Sequence, residues 1–140
     1  MLVNSGGTVG FRANNQIADT ATVTVAGGTF TARPNFGSTE TIANLTVNSG
    51  IFSFGNTTAN NAGQTFTVSG IITLAGGAFT VASKTTGGGS ANIYATGALT
   101  ISGGTNKISN SGSGLSAQLI VSGLTTSNQP AAGAFTALEL

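Results

Sequence analysis

The sequence contains no cysteine, no histidine and no tryptophan, and only 2 of its 140 residues are proline. Without Cys or His, the chain by itself cannot build an ordinary zinc, haem, iron–sulfur or thiol site. A Ser–His–Asp or Cys–His nucleophile is excluded for the same reason. No disulfide framework is possible, so cysteine usage does not report the redox compartment. Charge is scarce as well. Four basic residues face three acidic ones, a net charge of +1. Charged residues make up 5% of the chain, against roughly 25% in an ordinary soluble domain. So few cations cannot neutralise a phosphate backbone, and no nucleic-acid partner is expected. No apolar run approaches the ~18 residues of a membrane span, so membrane insertion is not expected. Met1-Leu2-Val3 is followed by polar residues, and no signal peptide is visible.

Half of the chain is small and polar without being charged. Gly, Thr, Ser and Asn number 22, 23, 14 and 13. Such polarity alone would suggest disorder. Yet 39% of residues are hydrophobic, and they recur in a pattern.

The pattern is a short phrase. It reads V-T-V-A-G-G-T-F from Val23, L-T-V-N-S-G-I-F from Leu45, and F-T-V-S-G from Phe66. It returns as I-T-L-A-G-G-A-F from Ile72, L-T-I-S-G-G-T-N from Leu99, and L-I-V-S-G from Leu119. With the third residue as anchor, the series is Val3, Val25, Val47, Val68, Ile101 and Val121. All but one of the intervals are nearly equal; the step from Val68 to Ile101 is half as long again. Leu74 competes with Val68 as an anchor. A recurrence at this interval, roughly 20–22 residues, marks stacked supersecondary units. Apolar–Thr–apolar alternation is a strand with one buried face. The Gly pairs that follow supply the corners of a coil.

These features predict an all-β fold, a parallel β-helix or β-solenoid. It would have about six turns, each of roughly 20–22 residues, with one expanded turn. A single domain over 1–140 is expected. At ~4.8 Å per stacked strand, that is a rod of roughly 30 Å. The expanded turn would carry a loop excursion at about 83–92, around Lys84 and Gly87-Gly88-Gly89. Those glycines are not a phosphate loop, because no G-K-[ST] follows them. A β-sandwich is the rival architecture, although it does not require the same phrase at every repeat.

In a solenoid, equivalent residues stack in columns. The anchors would form one inward column, and Val23, Leu45, Phe66, Leu99 and Leu119 a second. Phe30, Phe52 and Phe79 would fill another corner. Between the inward columns runs an outward one, with Thr24, Thr46, Thr67 and Thr100 at its centre. A Thr ladder of this kind is good strand chemistry, and it could also face sugars or ice. The chain starts at Leu2-Val3 and stops at Leu138-Glu139-Leu140, at about the same phase of the coil. Neither end shows a capping helix or a charged edge. Open edges at both ends invite pairing with another chain. The expected assembly interface is therefore Leu2, Val3, Leu138, Glu139 and Leu140, in a head-to-tail homopolymer. A fragment of a longer solenoid would look the same.

The phrases resemble the autotransporter-associated β-strand repeats of bacterial surface and secreted proteins. The resemblance is carried by N-N-Q-I-A-D-T at residues 14–20, V-T-V-A-G-G-T-F at 23–30 and F-G-S-T-E-T-I at 36–42, with a weaker copy at 97–104. It implies a right-handed parallel β-helix, export to the cell surface or beyond, and a structural or adhesive role. It supplies no catalytic residues.

β-Helices can also host polysaccharide-cleaving enzymes, which need clustered carboxylates. Here Asp19 and Glu40 lie one repeat apart, as do Arg12 and Arg33. The four could form an acid/base pair beside an anion-binding Arg. They could equally form a solvated ion-pair network worth about 0–1 kcal/mol per pair. Calcium could use the two carboxylates, but the nonapeptide Ca²⁺ repeat is absent. The expected function is thus non-enzymatic and without cofactors: an extracellular or cell-surface structural solenoid whose partner is itself. The alternative is an adhesin segment that binds surface glycans through the Thr column and Tyr94.

Overall fold

The computed structural model describes residues 1–11, 13–32, 39–55, 64–82, 90–109 and 116–127. Among them are thirteen strands and no helix. The strands are β1 (Leu2–Asn4), β2 (Thr8–Phe11), β3 (Thr22–Ala32), β4 (Thr39–Ile42), β5 (Asn44–Gly55), β6 (Gln64–Val68) and β7 (Ile72–Leu74). They continue with β8 (Ala78–Ala82), β9 (Ser90–Ala95), β10 (Leu99–Ile101), β11 (Thr105–Ser109), β12 (Ser116–Val121) and β13 (Thr125–Ser127). All the pairings are parallel. The chain therefore returns in the same direction at each level, which makes the fold a parallel β-solenoid.

Three stacks of strands form the walls. The first runs β1-β3-β5-β7-β10-β13. The second joins β2, the C-terminal part of β3, the C-terminal part of β5, β8 and β11. The third runs β4-β6-β9-β12. β3 and β5 are long because each serves two stacks, bending at Gly27 and Gly50, both with positive φ. Gly50 also tolerates no side chain, since a Cβ there would stand 2.2 Å from the Gly28 carbonyl oxygen.

Inward residues of the three walls meet in one dry core. Val25, Val47, Leu74 and Ile101 lie in one register, and Val23, Leu45, Ile72 and Leu99 in the next. All eight are buried. The expected phenylalanine corner is present. Phe30 and Phe52 stack at 5.5 Å, and Phe52 and Phe79 at 5.3 Å, with rings within 9° of parallel. Phe11 lies 5.7 Å from Phe30 and 6.0 Å from Phe66, tying the second wall to the third. Aromatic pairs at these separations contribute about 0.5–1.5 kcal/mol beyond their buried area.

The stacking corrects the expected register. Val47 pairs with Leu74, not with Val68. Val68 belongs to the third wall, between Ile42 and Ala95, and Phe66 lies between Glu40 and Ile93. Leu119 and Val121 also belong to the third wall, paired with Ile93 and Ala95. The first-wall register therefore reads Val3, Val25, Val47, Leu74, Ile101, Ser127. The first two steps of this series are short and the last three are all longer, so the added length is not confined to one expanded turn. It accompanies third-wall strands that grow from 4 residues in β4 to 5 in β6 and 6 in β9 and β12. Residues 83–89 of the expected loop lie outside the described residues. Ser90, Ala91 and Asn92, placed in that loop from sequence, instead open strand β9.

Candidate functional site

Outward positions form rows that are mostly uncharged, with Lys107 exposed on the second wall in register with Thr80. On the first wall Thr24, Thr46, Thr73, Thr100 and Thr126 are aligned by strand pairing. Three of the four threonines expected in this column are there. Thr67 is not; it lies on the third wall between Thr41 and Tyr94. Thr73 takes the place assigned to it. The displacement arises because F-T-V at 66–68 and I-T-L at 72–74 carry the same alternation. One signal in the sequence separates them. Val25, Val47 and Leu74 each stand five positions before a buried Phe, whereas Val68 stands five before Thr73.

The row beside the threonines is mixed. Asn44 pairs with Thr22, and its amide donates to Thr22 Oγ1 at 3.2 Å. Its carbonyl oxygen accepts from the Ile71 N–H at 2.9 Å. Ile71 and Leu124 then continue the corner as exposed apolar side chains, 48% and 77% accessible. A regular two-row Thr array is therefore not built on this wall. On the third wall, Thr39 and Thr41 do align with Thr65 and Thr67. Asn92 and Tyr94, then Gln118 and Ile120, continue these two rows.

The four residues considered for an acid/base site do not form one among the described residues. Asp19 is exposed. Glu40 faces the core and is fully buried. Its carboxylate accepts hydrogen bonds from the backbone N–H of Gln16 at 2.8 Å and of Ile17 at 3.4 Å. Donors from backbone amides are what let a carboxylate leave water in this position. Arg12 and Arg33 lie outside the described residues, as does Lys84. Among the described residues no group of three or more acidic, His or Cys side chains could hold a metal ion.

No protein-family model, curated protein or solved structure matches this chain. Its role is therefore read from its own geometry.

At the N-terminal end of the first two walls, β1 and β2 each pair, among the described residues, on one side only, with β3. Leu2 is 60% exposed there, while Val3 is 2% exposed and already part of the core. The expected interface residues at this end thus differ in kind: one is available to a partner and the other is not. Leu138, Glu139 and Leu140 lie outside the described residues. No helix among the described residues is long and apolar enough to cross a membrane.

Proposed function

We propose that this chain is a structural β-solenoid subunit that stacks end to end in an extracellular filament or cell-surface sheath. The reading takes the coil as right-handed with about six levels, one for each strand of the first wall. The observation that carries it is the outer edge of β1 and β2, where ladder groups face no further strand among the described residues. Parallel strands of the same phrase pair on the other side of that edge, so a second copy presenting the phrase fits it. Outer rows with so few charges suit close packing, since little charge repulsion opposes association. The burial of Glu40, with its oxygens engaged by backbone amides, speaks against an acid/base role and supports a non-enzymatic reading.

Electron microscopy with sedimentation velocity tests the proposal. Fibres with an axial repeat of roughly 30 Å are expected, six levels at ~4.8 Å. Leu2→Lys should shorten them without unfolding the subunit, because Leu2 is exposed. Discrete monomers at all concentrations would overturn the reading. A second reading, an adhesin segment binding surface glycans, draws on the aligned Thr39, Thr41, Thr65 and Thr67 of the third wall. It predicts saturable glycan binding that Thr65→Val with Thr67→Val weakens.

A further inference from the structure

The three walls do not end alike. Among the described residues no strand pairs with the outer edges of β1 and β2, but the edge of β4, the first strand of the third wall, is covered. Where a preceding strand would lie, residues 13–20 cross as an irregular turn, with Asn15 at a φ of 46°. This segment occupies the edge of β4 through both backbone and side-chain groups. The Asn15 N–H donates to the Thr39 carbonyl at 3.3 Å, and the Thr39 N–H donates to Asn14 Oδ1 at 3.0 Å. The Ala43 N–H, just beyond the strand, donates to the Ala21 carbonyl at 2.9 Å. From the core side, Glu40 holds the same turn by the N–H groups of Gln16 and Ile17. Ile17 is half-buried against the core and closes over it.

This arrangement differs from ladder pairing in one decisive respect. A strand at this level would pass its own outward-facing N–H and C=O groups to the next copy. The turn instead makes the contact with the Asn14 side-chain oxygen and with the Gln16 and Ile17 N–H groups that donate to the Glu40 carboxylate of β4, and its outer surface is exposed and non-strand. Irregular cover of this type is one way proteins close a sheet edge to further pairing.

We propose that residues 13–20 are a strap, latched by Glu40 and Asn14, that closes the third wall to strand addition by a second copy of this chain. Axial pairing at this end is then confined to the β1–β2 edge. The subunit is directional, and a wrongly rotated copy finds no ladder on the third wall. The identity of the partner rests on the assembly reading above; the latch itself does not.

The test compares the intact chain with Glu40→Ala and Asn14→Ala, by amide hydrogen exchange and sedimentation velocity at matched concentration. In both variants, exchange at Gln16, Ile17 and Thr39 should rise about tenfold or more, while the Phe30 and Phe52 amides keep their protection. Both variants should also shift towards larger species than the parent chain. Faster strap exchange with unchanged sedimentation would overturn the proposal, and so would unchanged strap exchange. Glu40→Ala removes a buried group and could unfold the chain. Asn14 is exposed, so Asn14→Ala keeps the test open, and loss of core protection in both variants would also overturn a local strap. A parent chain insensitive to Leu2→Lys would count against end-to-end stacking alone, and new association in the strap variants would still support the strap.

Discussion

Val47 pairs in register with Leu74 across one full turn of the coil, and their side chains are both fully buried in the first wall. This pairing sets the geometry of everything after β5, because it sends the F-T-V phrase at 66–68 to a different wall. It can be tested by cross-linking. The chain has no cysteine, so introduced pairs report cleanly. Neighbouring parallel strands lie about 4.8 Å apart. Oxidation of Thr46→Cys with Thr73→Cys should therefore give an intramolecular disulfide. Thr46→Cys with Thr67→Cys should not. The reverse result, read as a mobility shift on a non-reducing gel, would restore the Val68 register.

The phenylalanine stack should dominate the response to core truncation. Phe52 sits between Phe30 and Phe79 and also lies 5.7 Å from Phe66. Phe52→Ala should cost about 3–5 kcal/mol, the range for a large aromatic lost from a core that cannot collapse around the gap. Urea denaturation is the measurement, with a fall in midpoint at a similar slope. A loss below about 1 kcal/mol would mean that the stack is not close-packed.

Two glycines separate backbone strain from steric exclusion. Gly6 and Gly50 both have positive φ, at 76° and 82°. A Cβ at Gly6 would meet nothing within 4 Å, whereas at Gly50 it would meet the Gly28 carbonyl oxygen at 2.2 Å. Gly6→Ala should cost only the left-handed penalty, about 1–2 kcal/mol. Gly50→Ala should cost clearly more, because two adjacent levels must move apart. Equal losses in thermal or urea unfolding would show that the close approach of levels is not maintained.

Stability should be nearly independent of sodium chloride. With seven charged residues in 140, exposed ion pairs have little to contribute, and exposed pairs are worth only about 0–1 kcal/mol each. Between low salt and 0.5 M, where screening acts within roughly 4–5 Å, the melting temperature should move by no more than about 2 °C. A large shift would point to an ion-pair network that the fold does not explain.

Read in order, the chain already carries the strand phrase, the parallel coiling and the Phe30–Phe52–Phe79 corner. Each follows from local alternation and from a phrase that returns, and neither property needs the folded molecule to be seen. Which phrase joins which wall is marked in the sequence only by the Phe that stands five positions after Leu74 and is missing after Val68. F-T-V and I-T-L have the same inward and outward positions, so neither hydropathy nor β-propensity separates them. The choice is made by long-range packing, which places Leu74 where Phe79 can stack on Phe52. Glu40 shows the same limit from the other side. Its charge reads as part of a solvated surface network, whereas the fold turns it into the core. Only the folded chain brings the Gln16 and Ile17 amides to its carboxylate, and those donors replace the water that it loses on burial.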